Sequence, residues 1–225
     1  MKIENFDPIG ALVVYKNKDE YYLESHHINK KGKLGSGTPL KRKAMVEIFK
    51  AFNSKLKYNN IIPEFLPENI IVNSHNTGAL TLMWYRRKKR YNLIFEHEQK
   101  THNFNVQIPN MIFLFKDDDL YVYAVKTDKR PTESTKLYHA PFPNISMDGK
   151  VCLGTITVND HYRITDIIEE YENVFFNSEF NHEIESDKRC KNNIFESWKS
   201  AHMLSFNNNL LVPTKLTIKE LLNKL

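Results

Sequence analysis

Asn144 and Cys152 are the two side chains in this sequence best suited to chemistry, and eight residues separate them. Pro141 and Pro143 restrict the backbone before the asparagine and keep it extended. Asp148-Gly149 is a tight-turn signal, so the chain is expected to fold back before it reaches the thiol. A thiol can accept an acyl group, and a nearby amide can stabilise the oxyanion that forms. The pattern therefore predicts an acyl-transfer site.

The sequence leaves the role of each candidate residue open. Cys152 is either a nucleophile, which requires partial exposure and a polar environment, or an inert structural thiol. Asn144 is either an oxyanion donor or a turn residue that bonds its own backbone and organises the loop. His139 either orients this loop through a hydrogen bond or, less readily, acts as a general base. Cys190 lies in a charged stretch and is interpreted as an exposed or half-buried spectator.

The composition is that of a globular protein, with 41% hydrophobic and 26% charged residues among 225. This length suits one domain of roughly 150 residues plus an extension. Lys and Arg exceed Asp and Glu by five, and part of the excess lies in the run Arg86–Arg90. That run is interpreted as a solvated turn in preference to a phosphate-binding patch, so nucleic-acid binding is not expected.

Two cysteines, a polar start and the absence of a long apolar run predict a cytoplasmic protein with free thiols and no membrane span. The histidines and cysteines lack zinc-site spacing, so no metal is expected. Gly35-Ser36-Gly37-Thr38 lacks the Lys-Ser/Thr ending of a phosphate-binding loop. We therefore expect no cofactor.

The elements that must position the site are predicted from apolar periodicity. Residues 11–15 and 21–25 predict an N-terminal β-hairpin, followed by a flexible connector at 33–37. Thr38-Pro39 predicts the start of a helix that continues to residue 57. The predicted domains are therefore an N-terminal hairpin extension over 1–37 and a main domain over 38–225.

The main domain is predicted to be α+β, with an antiparallel four-stranded meander flanked by helices. The meander follows from β-rich segments separated by short loops between residues 70 and 126. Periodicity then disappears over 127–162, the long irregular segment that carries Asn144 and Cys152, and such segments are often functional. The predicted strands are 70–72, 80–85, 91–96, 111–115 and 120–125, and the predicted later helices are 165–176, 194–204 and 217–225.

Tyr138-His139, Pro143-Asn144 and Gly149-Lys150-Val151-Cys152-Leu153 resemble the active-site segment of ubiquitin-conjugating enzymes, with the same eight-residue step. The order helix, meander, active-site segment, helix also matches. The resemblance implies that Cys152 carries a protein tail as a thioester, that Asn144 organises the site and that His139 supports it. Ala140-Pro141-Phe142 separate His139 from Pro143, where the enzymes' motif is contiguous, so His139 need not occupy the usual place.

A closer resemblance is carried by four segments: Arg130-Pro131-Thr132, the stretch from Tyr138 to Asn144, the stretch from Gly149 to Gly154, and the stretch from Phe175 to His182. Together they resemble the PRTRC system protein B family, a group of prokaryotic relatives of ubiquitin-conjugating enzymes. This resemblance implies a bacterial plasmid or mobile-element setting, with a ThiF-like adenylating protein, a small ubiquitin-like protein and other cassette proteins as partners.

Three functions remain in view. The leading one is a carrier that forms a thioester on Cys152 and passes the tail to an amine or a thiol. The alternative is a catalytically inactive adaptor that keeps the fold and docks partner proteins. A cysteine hydrolase that pairs Cys152 with His161 or His182 is the third, and it lacks a nucleophile at a helix start.

Overall fold

The computed structural model describes residues 9–18, 20–41, 43–45, 61–76, 79–116, 118–153, 163–181 and 188–224. The chain divides into two compact units, Met1–Leu56 and Lys57–Leu225. Each unit is described by itself below.

The N-terminal unit contains an antiparallel sheet of strands β1 (Gly10–Asn17), β2 (Glu20–Ile28) and β3 (Leu34–Pro39), in that order. The prediction that residues 33–37 are a flexible connector and that a helix starts at Thr38-Pro39 is wrong. Thr38 pairs with Ser25 of β2, because a continuous ladder satisfies more backbone groups than one helix cap does. Residues 43–45 are helical, and the rest of the predicted helix lies outside the described residues.

The second unit is built on a sheet of order β12-β10-β9-β8-β5-β4, in which each neighbouring pair is antiparallel. Its strands are rich in β-branched and aromatic residues, and β8 is buried along nearly its whole length. They are β4 (Ile70–Asn76), β5 (Ala79–Arg86), β8 (Asn110–Lys116), β9 (Asp119–Val125), β10 (Lys136–His139) and β12 (Pro213–Thr217).

A second sheet is formed by β6 (Arg90–His97), β7 (Lys100–Gln107) and β11 (Glu179–Phe180). The predicted strand at 91–96 therefore does not lie between its sequence neighbours in the main sheet. It pairs with β7, which the sequence did not predict, and the two strands form an antiparallel hairpin. Strand β11 adds to β6 in parallel.

Alternation along the main strands separates two apolar clusters, one on each face of the sheet. In β8, Met111, Phe113 and Phe115 belong to the larger cluster, whereas Ile112 and Leu114 belong to the smaller one. The larger cluster also includes Phe142 and Ile145, which precede and follow Asn144 in the chain. The candidate site therefore rests on the larger core.

Three helices are described in this unit: α1 (Ile164–Asn177), α2 (Ile194–Ser200) and α3 (Ile218–Leu222). The predicted helix at 165–176 is confirmed, and its buried residues recur at helical spacing. The helices predicted at 194–204 and 217–225 are present but shorter. Helices α1 and α2 contribute to the larger cluster and α3 to the smaller one. Among the described residues, no helix is long and apolar enough to cross a membrane.

The basic run Arg86–Arg90 joins β5 to β6, and part of its charge has a structural partner. Arg86 forms an ion pair with the buried carboxylate of Glu172 on α1. The indole of Trp84 donates to the same carboxylate at 2.9 Å. Burial raises the pKa of Glu172, and the Arg86 guanidinium acts against that rise. The start of this run therefore ties the sheet to α1.

Phe142 lies at the centre of the aromatic part of the larger cluster and is fully buried. Its ring centroid is 5.1 Å from that of Phe175, 4.9 Å from that of Phe180 and 4.9 Å from that of Trp198. The segment before Asn144 is thus an integral part of the core, although it forms no regular element there.

The Phe142→Ala variant is expected to lose about 3–5 kcal/mol of unfolding free energy, because the surrounding rings cannot close the cavity. Urea denaturation measures the loss. Phe65→Ala is the matched control, since the Phe65 ring is fully exposed, and its change is expected to stay below about 0.5 kcal/mol. Equal unfolding midpoints for the two variants would contradict the placement of Phe142.

Candidate functional site

The proline segment (residues 140–145) is held in place through its carbonyl oxygens. Pro141 and Pro143 have no N–H, so the segment cannot join a strand ladder in the ordinary way. Instead, the Trp198 indole donates to the Pro141 carbonyl at 2.5 Å. The Arg189 guanidinium donates to the Pro143 carbonyl at 3.1 Å. Both donors are almost completely buried, so these bonds fix the backbone in a dry environment.

The turn (residues 146–150) follows directly and is closed by its own backbone. The Ser146 N–H donates to the Lys150 carbonyl and the Gly149 N–H to the Ser146 carbonyl, each at 2.9 Å. Gly149 has a φ of +90°, a left-handed conformation that favours glycine. The predicted turn signal therefore matches the local geometry.

Hydrogen bonds within the turn also favour the ionised form of the Asp148 carboxyl group. The Ser146 hydroxyl donates to its carboxylate and, despite partial burial, lowers its pKa. The Lys150 N–H donates to the same carboxylate at 3.2 Å. Asp148 is therefore an acceptor that stabilises the turn while it is ionised.

Strand β9 supports the turn from outside. The Val122 N–H donates to the Gly149 carbonyl and the Val151 N–H donates to the Leu120 carbonyl, both at 2.8 Å. The buried hydroxyl of Tyr123 donates to the Asp148 carbonyl, and burial raises its pKa, so it remains a donor at neutral pH. The turn is thus bound to the main sheet by main-chain and side-chain bonds.

Cys152 is exposed, and its main chain is bound to that of Asn144. The Cys152 N–H donates to the Asn144 carbonyl at 2.8 Å. Leu153, the next residue, packs against the larger cluster. The structure therefore places the thiol at the surface on a backbone that is fixed on both sides.

The side chain of Asn144 lies inside, with only 6% of the residue exposed. Its Oδ1 atom is buried and has no hydrogen-bond partner among the residues that the structure describes. The bond that joins Asn144 to Cys152 is between main chains. Among the described residues, the link between the two positions is therefore a main-chain bond, and the Oδ1 atom does not make the side-chain-to-backbone bond predicted for a turn residue.

His139 lies at the end of β10 and is half-buried. Its ring lines a cavity together with Tyr123 and Asp148, and the described residues that line this cavity do not include Cys152. Burial lowers the pKa of His139, and the nearby Arg189 guanidinium lowers it further. The neutral imidazole is therefore the main form at neutral pH.

The remaining candidates are less informative. Cys190 is buried, with its sulfur 3.5 Å from the Ser197 hydroxyl oxygen, so the prediction of an exposed or half-buried thiol is wrong. His161 and His182 lie outside the described residues. Among the described residues, no group of three or more His, Cys, Asp or Glu side chains could hold a metal ion.

Sequence reasoning missed the residues that anchor the site. Neither Trp198 nor Arg189 is among the predicted site residues, although both bind carbonyl oxygens of the proline segment. Both lie more than 45 residues from their acceptors, so no local pattern could reveal the pairing. The available signal was the pair of prolines, because their carbonyl oxygens need hydrogen-bond donors wherever the segment is buried.

The antiparallel sheet and the flanking helices are consistent with a protein of the E2-like class. The model of prokaryotic E2 family D matches residues 43–214. This match spans most of the chain, which therefore belongs to that family. Comparison with curated proteins and with solved structures gave no match.

Iodoacetamide at neutral pH is expected to modify Cys152 in the native protein and to leave Cys190 unmodified, because only the first thiol is exposed. Intact-mass spectrometry before and after unfolding counts the adducts. The Cys190→Ser variant should give the native pattern unchanged. Modification of both thiols, or of Cys190 alone, would contradict the structure.

Gly149→Ala is expected to destabilise the turn by more than about 1 kcal/mol, the usual range for a strained backbone. A Cβ there would lie 2.5 Å from the Tyr123 ring, so the turn must shift. Tryptophan-monitored urea unfolding and the rate of Cys152 alkylation are the measurements. Gly32→Ala is the control, because Gly32 also has a positive φ but meets no atom within 4 Å. An unchanged alkylation rate in Gly149→Ala would count against the turn.

The lowered pKa of His139 predicts a pH dependence of stability. The unfolded chain takes up the proton at a higher pH than the folded chain, so stability falls as pH drops below about 6.5. The His139→Gln variant lacks this proton uptake and is expected to lose less unfolding free energy between pH 7.5 and 5.5. Urea denaturation of both proteins at the two pH values tests this. An equal loss in the two would show that His139 titrates normally.

Proposed function

We propose that this protein carries the C-terminal tail of a small ubiquitin-like protein as a thioester on Cys152. The observation that supports the proposal most strongly is the exposed thiol on a backbone bound to Asn144 at 2.8 Å. Membership of prokaryotic E2 family D also supports the proposal.

The proposed chemistry is two successive acyl transfers. The Cys152 thiolate attacks the thioester or adenylate carbonyl of the donor, a new C–S bond forms, and the donor thiolate or AMP leaves. An amine or a second thiol then attacks the new thioester, loses a proton to solvent and releases Cys152 as the thiolate. Thiol–thioester exchange is close to isoenergetic, so position and a thiolate are the main requirements.

In this proposal Asn144 positions the nucleophile through its main chain. Its side chain is buried where the proline segment meets the turn. His139 supports the same region from the cavity side, where its neutral ring packs near Tyr123 and Asp148. Neither residue needs to transfer a proton to the exposed sulfur.

We further propose that β4, β5, β8 and β9 correspond to the four-stranded meander of ubiquitin-conjugating enzymes, with the β6–β7 hairpin inserted. The antiparallel order of these four strands supports the correspondence. Strands β1 and β2 correspond to the N-terminal hairpin extension.

The setting proposed is a cytoplasmic PRTRC cassette, with a ThiF-like adenylating protein as the donor of the tail. The sequence resemblance to the protein B family supports this setting. Two free cysteines, with no disulfide between them, suit a reducing compartment.

A synthetic peptide that ends in Gly-Gly as a C-terminal thioester tests the carrier function. Wild type is expected to form a reductant-sensitive peptide adduct, and Cys152→Ala to form none. The reference is Lys191→Cys in the Cys152→Ala background, which offers an exposed thiol at an unrelated position. We expect wild type to react at least tenfold faster than this reference, measured by intact mass. Equal rates would remove the carrier proposal.

A non-catalytic adaptor is the second candidate function. The observation that favours it is the burial of the Asn144 side chain, which leaves the exposed thiol without a described amide donor beside it. An adaptor would bind the ubiquitin-like protein equally well with Cys152→Ala, and the peptide thioester would react no faster with wild type than with the reference thiol.

A further inference from the structure

A cavity of about 620 Å³ lies beside the turn, on the face of the main sheet that packs against α3. Its size is in the range of small-molecule sites. Strands β8, β9, β10 and β12 contribute to its walls, together with α3 and the turn. Cys152 is absent from its described lining, although His139 and Asp148 belong to that lining.

The walls combine apolar surface with positive charge. Leu114, Tyr121, Leu216 and Leu221 supply apolar and aromatic groups, and three lysines, at positions 116, 215 and 224, reach the same space. An apolar body would be buried against the first set. An anionic group on that body would lie near the ammonium groups.

The acidic residues that line the cavity are bound to the turn. Asp119 forms an ion pair with Lys150 at 2.6 Å. The Asp148 carboxylate accepts bonds from Ser146 and Lys150. Within the described part of the chain, Lys215 forms no such ion pair. Lys224 lies near the Glu220 carboxylate, whose pKa is lowered chiefly by hydrogen bonds from Thr217 and in part by this ammonium group. Lys215 is therefore the cation whose charge most directly faces a ligand in the cavity.

Lys215 has a left-handed backbone conformation, which is unusual for a residue within a β-strand. Its φ is +66°, although it is an exposed residue inside strand β12, and this conformation is strained for a side chain with a Cβ. The neighbouring Thr214 holds it there: its hydroxyl donates to the Leu137 carbonyl at 2.9 Å and accepts from the Leu216 N–H at 3.1 Å. A shift of register between β10 and β12 accompanies it. Such irregularities re-aim side chains near binding sites.

We propose that this cavity binds a small organic anion with an apolar body and a carboxylate head group. The apolar walls take the body, and Lys215 and Lys224 take the head. The inference does not depend on the thioester proposal, because it rests on residues that the carrier chemistry does not use.

The test uses three probes with the same body: 4-phenylbutyrate, 4-phenyl-1-butanol and 4-phenylbutylamine. Titration of the full chain, followed by amide NMR shifts, gives the affinity and the location. We expect the carboxylate to bind at least tenfold tighter than the amine, with the largest shifts in β12 and in the turn, since Tyr123 joins the cavity wall to Asp148. Equal affinities, or shifts elsewhere, would overturn the proposal.

Charge removal gives the matched comparison. The double variant Lys215→Gln/Lys224→Gln is expected to bind the carboxylate at least fivefold more weakly and to bind the alcohol as wild type does. Both side chains are exposed, so the fold should be unaffected. Lys100→Gln, in the separate β6–β7 hairpin, is the control and should bind all three probes as wild type does. An equal loss in the control would show non-specific charge attraction only.

Discussion

The buried proline segment depends on donors that its own sequence cannot supply. Two prolines remove N–H groups from it, and their carbonyl oxygens still need partners away from water. Trp198 from α2 and Arg189 from the segment before it provide those partners. Phe142, in the same segment, packs against the rings of Phe175 and Trp198. These interactions turn an irregular segment into a rigid part of the core.

The rigidity of the proline segment extends to the backbone that carries the exposed Cys152 thiol. The chain leaves the core at Asn144, reverses at Gly149 and returns to bond Asn144 through the Cys152 N–H. The thiol therefore sits on a backbone that a main-chain hydrogen bond and the packing of Leu153 hold in place. A nucleophile held in this way loses little conformational entropy when it reacts, which would favour the proposed acyl exchange.

Local patterns predicted the elements whose signals are local. The 3.6-residue periodicity gave α1, and the Asp148-Gly149 pair gave the turn. The helix start at Thr38-Pro39 was wrong because pairing with β2 outweighs a capping preference. Strand β7 was missed because its apolar residues, Phe104 and Val106, are isolated among polar ones. The spacing of Asn144 and Cys152 could be recognised in the sequence. The inward orientation of the asparagine side chain depends on packing against residues that are distant in the sequence.

Cys152 carries an exposed thiol on a backbone that is held in place. Native-state hydrogen exchange of the Cys152 amide tests it most directly, because that amide donates to the Asn144 carbonyl. We predict protection close to that of the amides in β8, lost only with global unfolding. Exchange at the rate of an exposed loop would contradict the claim.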